Sequence, residues 1–198
     1  MKRVENLLTV VFGAVIVFGA LTLSSCSSNV QPVLAIGELH GGGIIADMWT
    51  QDGVQHGIIL ALTDQSVGRS WSNVAEKEVG AVARSRADGL ANSLAITAQP
   101  GHLNSAAKIC LDYSVDGFSD WYLPAIEELE RVYENREVIN AALAVIPGAT
   151  EVPKAAGYWS STENGAILAW NYNFNFGIAS NYSTKNLVNF RVRAIRTF

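Results

Sequence analysis

The chain has 198 residues, with 14 Lys and Arg against 18 Asp and Glu for a formal net charge of −4. That balance lacks the basic excess of a nucleic-acid binder, so nucleic acid is excluded as a partner. Two cysteines are too few for a disulfide framework, and the length suits one domain with a full core.

The first element is a leader. MKRVEN supplies two cations, LLTVVFGAVIVFGALTL an apolar run, and LSSC a small-residue end, the layout of a secretory signal over residues 1–25. Leu23, Ser24, Ser25 and Cys26 resemble a bacterial lipobox, which implies that Cys26 carries lipid and becomes the first mature residue. The competing reading is an uncleaved anchor, because residues 7–23 nearly reach bilayer length. Both place the rest of the chain outside the cytoplasmic membrane, in the bacterial cell envelope. Residues 26–35 then read as lipidated cysteine and tether, and residues 36–198 as the domain. With Cys26 lipidated, Cys110 has no partner, so packing alone must hold the fold.

In the domain, short apolar runs broken by Gly41–Gly43 and by Gln51, Asp52 and Gly53 predict strands joined by turns. Residues 88–96 predict a short helix. LNSAAKICLDY predicts another, capped by Asn104 or Ser105, with Ala106, Ile109, Cys110 and Tyr113 on one face. Cys110 is thereby a core residue. In GFSDWYLPAIEELERVYEN, Pro124 suits a first helical turn, Glu127 and Glu128 suit the positive end of the helix dipole, and Ile126, Leu129 and Tyr133 form a stripe. A helix over residues 137–145 stops at Pro147 and Gly148, and two strands follow at about 168–176 and 187–196. Strands, then helices, then strands, with no repeating β-α-β rhythm, predict an α+β fold.

The tail is unusual. Seven of the fourteen Asn fall between residues 164 and 189, and Asn171, Asn173 and Asn175 alternate with Trp170, Tyr172, Phe174 and Phe176. Asn is a poor strand former. Pairing the two strands predicts one inward face of Trp170, Tyr172, Phe174, Phe176, Val188, Phe190, Val192 and Ala194. The outward face would carry Asn171, Asn173, Asn175, Asn189, Arg191 and Arg193. From Gly165 to the end there is no acid, while Lys185, Arg191, Arg193 and Arg196 are cationic. Each Asn offers two donors and an acceptor, and Ile178, Ser180, Asn181, Tyr182, Ser183 and Thr184 have the composition of an antibody paratope.

GGGII, QHGIILALTDQS, AAKICLDY, GFSDWYLPAIEEL, YWSSTE, AW and RVRAIR occur in an order that resembles the Lcl C-terminal domain family, from about residue 36 to the end. The resemblance implies a single C-type-lectin-like α+β domain with a mixed or antiparallel sheet and two or three short helices. It departs at Ala125, where members usually carry Ser or Thr; a lost cap costs about 1 kcal/mol. The segment 164–190, bounded by AW and RVRAIR, also resembles the variable region of proteins diversified by a retroelement that mutates adenines.

No G-x-S-x-G elbow, H-E-x-x-H, Walker loop or metal-spaced cysteine pair occurs. Formylglycine-generating chemistry, which lectin-like folds also host, needs a site cysteine. His40, His56 and His102 are scattered, and Asp112, Asp116 and Asp120 lack a dense calcium loop. The expectation is therefore a surface lipoprotein with no catalytic residue, no metal and no cofactor. It would be anchored to the membrane through Cys26 and bind an external protein or glycan through Asn171, Asn173, Asn175, Ile178, Ser180, Asn181, Tyr182, Ser183, Asn186 and Asn189. The rivals are an adhesin gripping acidic polysaccharide through Lys185 and the arginines, and a structural envelope protein. An Arg paired with Glu163 or Asp120 is the plainer expectation for those cations.

Overall fold

Strand β2 (Gly43–Gln51) turns back on β3 (Val54–Ala61) through Asp52 and Gly53, whose φ angles are 50° and 77°. Two left-handed residues in a two-residue connection are what a type I′ hairpin requires, and an Asp-Gly pair adopts them readily. The computed structural model describes residues 34–198. The expected signal peptide, Cys26 and all but the last two tether residues lie outside the described residues. Leu34–Phe198 form a compact unit with a closed core.

The β2–β3 hairpin is flanked by β1 (Leu39–His40) and by β7 (Ile195–Thr197), giving an antiparallel sheet in the order β1-β2-β3-β7. The chain's last strand thus closes onto its early hairpin. A second antiparallel sheet runs β4 (Gly157–Glu163), β5 (Leu168–Asn173), β6 (Ile178–Thr184) in that order. Between the sheets in sequence come a 3₁₀ turn (Ala81–Ala83) and helices α1 (Gly89–Thr97), α2 (Ala106–Leu111), α3 (Ile126–Glu134) and α4 (Arg136–Leu143). The architecture is α+β, with four short α-helices among the described residues.

Local chemistry sets the helix starts. Asp88 accepts from Ala91 N at 2.9 Å and Ser105 from Lys108 N at 2.9 Å, side-chain caps for α1 and α2. At α3, Pro124 sits one residue before the N-cap rather than in the first turn, and Ala125 has no side chain to offer. The orphan donors are satisfied from elsewhere: Ile126 N donates to Thr162 Oγ1 on β4 (3.1 Å), and Glu127 N to Arg86 O (2.9 Å). Glu128 reaches back to accept from Ala125 N at 2.7 Å. The missing family hydroxyl is therefore replaced by a tertiary one.

Consecutive β3 residues alternate between two cores. Ile58 and Leu60 join α3, α4 and β5 residues in one, while Ile59 and Ala61 join Trp71, Trp121, Trp159 and Cys110 in the other. The sheet is covered on both faces, so its strands read as unbroken apolar runs. Each of the three buried indoles has a carbonyl partner: Trp71 on Ser160 O (2.8 Å), Trp121 on Phe118 O (3.2 Å) and Trp159 on Arg69 O (2.7 Å). Cys110 is fully buried and its thiol is pushed far above the ordinary range by that burial.

Candidate binding surface

The tail departs from the expected hairpin. Strand β5 ends at Asn173, and the chain reverses over Phe174–Gly177 into β6, so β5 pairs with β6 rather than with residues 187–196. The turn is local chemistry. Asn173 Oδ1 accepts from Asn175 N at 2.9 Å, Asn173 O accepts from Gly177 N at 2.9 Å, and Gly177 takes a φ of +65°. Of residues 187–196 only the last two are in a strand; Arg191 instead bridges in parallel to Tyr158 on β4.

This reversal reassigns the faces. Asn171 was expected to point outward, yet it is buried. A bulge in the β5–β6 pairing lets its Nδ2 donate to Ser180 O (3.3 Å) and Ser183 Oγ (2.7 Å). Phe176 and Val188 were expected inside, and they are 69% and 65% exposed. Phe174 keeps its inward place, against Tyr133, Tyr158 and Tyr172. Trp170 is half-buried beneath the Arg86 guanidinium, 4.7 Å from its ring centre. Asn173, Ser180, Asn181 and Ser183 are half-buried, and Asn181 O accepts from Asn164 Nδ2 at 2.8 Å. Asn175, Ile178, Tyr182, Asn186 and Asn189 are exposed, Tyr182 at 80%. The displayed set is therefore amides interleaved with large apolar groups along β6 and the segments that flank it.

The cations meet acids of the same chain. Lys185, fully buried, donates from Nζ to Glu163 Oε1 (2.7 Å), Lys77 O (3.0 Å) and Ala166 O (2.9 Å), with Trp71 below it at 4.9 Å. Burial lowers its pKa, and Glu163 opposes that shift. Glu163 also accepts from Val79 N (2.7 Å) and Gly80 N (2.8 Å). Arg191 and Arg193 both reach Asp64, and buried Arg193 additionally donates to Ala61 O, Leu62 O and Thr150 O. Arg196 grips Asp120 at 2.6 and 2.8 Å, holding that carboxyl below its usual range. Arg193 thus sits behind the surface, while Arg191 is half-buried with its guanidinium held by Asp64. Among residues 164–190, no charged side chain is exposed.

A family model for the Lcl C-terminal domain matches residues 60–196. The chain belongs to that family. No curated protein gives a significant match. Within this Lcl C-terminal domain the quoted motifs act as framework. RVRAIR supplies the arginines bound to Asp64 and Asp120, YWSSTE supplies Thr162 and Glu163, and SDWYLP leads into the shared start of α3.

The other candidates of the sequence have structural surroundings. His40 packs on Phe198, His56 stacks on Trp49, and His102 Nε2 lies 2.9 Å from Ser105 Oγ. Asp112 pairs with Lys108, and Asp116, at φ 51°, forms the turn with Gly117. Among the described residues no group of three or more His, Cys, Asp or Glu side chains is placed to hold a metal ion. Phe176, Leu187 and Val188 are surface residues that sequence reasoning missed. The available signal was Gly177, which ends the alternation one residue after Phe176.

Proposed function

We propose that this domain is a non-catalytic binding module, displayed at the bacterial envelope by lipid on Cys26. Its ligand would be an external protein or glycan that meets the β5–β6 turn, β6 and residues 186–189. The observation that carries this reading is the display of Phe176, Ile178, Tyr182, Leu187 and Val188 beside Asn175, Asn186 and Asn189, with no exposed charge in the segment. Exposed apolar clusters with amide neighbours suit specific contact, because aromatic groups supply area and amides supply adaptable hydrogen bonds. The family membership supports a surface-module role of this kind.

The diversified-tail reading belongs to the same proposal. Variation among related strains should fall on Asn175, Asn181, Asn186 and Asn189 and spare Asn171 and Lys185, whose side chains are bonded inside. Against the polysaccharide rival, Lys185 and the arginines are engaged by Glu163, Asp64 and Asp120. Neutral contacts predict binding that changes little with salt, whereas polyanion binding falls steeply.

The test is a protein and glycan array probed with residues 34–198. Phe176→Ser, Tyr182→Ser and Val188→Ser are run in parallel after their melting curves are shown to match the unmodified domain. A bound species lost at least tenfold by these variants supports the reading, and one they leave unchanged sinks it. Lipidation is read separately, by mass spectrometry of the membrane-extracted chain and by release of Cys26→Ala into the soluble fraction.

A further inference from the structure

Four sheet edges end in the described residues, and three of them are short or covered. Strand β1 has two residues. Strand β7 is held on its outer side by the Tyr122–Ile195 bridge, with Tyr122 N to Ile195 O at 2.9 Å and Ile195 N to Tyr122 O at 3.0 Å. Strand β4 is covered by Arg191, through Trp159 N to Arg191 O (3.0 Å) and Arg191 N to Gly157 O (2.9 Å). The fourth edge is β6, seven residues long and last in its sheet. Proteins ordinarily protect such an edge with Lys, Glu, proline or a covering segment. IASNYST has no charge and no proline, and the nearest cation, Lys185, is buried over the Trp71 ring. The one protective device is the bulge at its pairing with β5.

We infer that β6 pairs antiparallel with β6 of a second copy of this chain, joining two three-stranded sheets across a two-fold axis. The neutrality of the strand is what selects a second copy as occupant. In a two-fold strand pair a residue at the axis faces itself, and any charged residue near it faces a like charge, which destabilises the pair. A partner of different sequence imposes no such demand. With the axis at Ser180, the two small Ser180 side chains meet at the centre, and the extra residue of the bulge between Ser180 and Ser183 sets Ile178 and Tyr182 on different faces of the strand. The latter two are well exposed in the single chain, Ile178 at 58%.

Edge pairing uses backbone groups, and an antiparallel pair places the two β5–β6 turns at opposite ends of the joined strands, each next to the last β6 residues of the other copy. An interface of one strand per copy is small, which makes the association weak and concentration-dependent in solution. Anchoring on one membrane would raise the local concentration.

The test is sedimentation equilibrium of residues 34–198, without ligand, from micromolar to millimolar concentration, with hydrogen exchange at β6 amides as a second readout. The expected result is a weak dimer whose amides at residues 178–184 gain protection as concentration rises. Ser180→Lys and Ser180→Glu should each weaken it at least tenfold, and an equal mixture of the two should associate again. Tyr182→Lys, at a fully accessible position, should also weaken it at least tenfold while melting like the parent. A strictly monomeric domain, or a dimer that all three variants leave intact, overturns the inference. Because no ligand is present, this outcome is independent of whether the array finds one.

Discussion

Replacing Lys185 by Met tests the central feature of the tail. The ammonium and the Glu163 carboxylate are both fully buried, and the lysine holds three oxygens, two from the end of β4 and its connection to β5 and one from Lys77. Removing one partner of a buried pair typically costs about 3–5 kcal/mol, because the remaining charge stays desolvated and uncompensated. Glu163 would keep Val79 N and Gly80 N and have Arg84 at 3.7 Å, while Lys77 O and Ala166 O would lose their shared donor. The expected loss is therefore about 3 kcal/mol, near the lower end of that range. For a domain of this size that lowers the melting midpoint by roughly 6–12 °C. Urea denaturation followed by tryptophan fluorescence suits the measurement, since Trp71 lies under the ammonium. Glu163→Gln should be destabilising alone, and the double variant should lose less than the sum, with a coupling of about 1–3 kcal/mol. A Lys185→Met domain as stable as the parent would refute the reasoning, and would return Lys185 to the surface as a contact for acidic ligands.

Three further outcomes follow from the framework. Glu128 is buried against Tyr122 and the start of α3, and burial raises its pKa from 4.5 to about 7. A carboxyl raised in this way favours folding fully below pH 4.5 and loses that contribution as pH climbs to about 7; unfolding measured across that window should show stability falling by up to about 3 kcal/mol, and Glu128→Gln should flatten the slope. Thr162→Val keeps the shape but leaves Ile126 N and Ser85 O without their hydroxyl partner, so chemical denaturation should report a loss of about 2 kcal/mol. Gly177→Ala forces a Cβ to 2.5 Å from Tyr133 Oη at a left-handed φ; the cost should be about 2 kcal/mol, and hydrogen exchange should show the β5–β6 turn loosened.

Much of the fold was legible because its signals are local. Asp52-Gly53 dictates a tight reversal, Asp88 and Ser105 cap their helices within three residues, and the apolar stripe of α3 marks its buried face. The tail was less legible because its partners are remote. Nothing near Lys185 in sequence says that Glu163 and the carbonyl of Lys77 will close over it. Asn171 and Asn175 are the same residue type four positions apart, yet a bulge buries one against Ser183 and a turn exposes the other. Strict alternation already fails at Asn171, which lies buried beside the bulge, and beyond Asn173 the backbone reverses, so that Phe174 stays inside while Phe176 lands outside. The start of α3 shows the converse, where a weak local signal at Ala125 is rescued by Thr162 from another strand.

Lys185 and Asn186 are neighbours with opposite duties, one locked over the Trp71 ring and the other free in solvent. A protein engineer grafting new recognition loops here would therefore have a clear boundary. Positions 175, 176, 182 and 186–189 are open to randomisation, while Asn171, Gly177 and Lys185 are the rivets that must stay if the library is to remain soluble and folded.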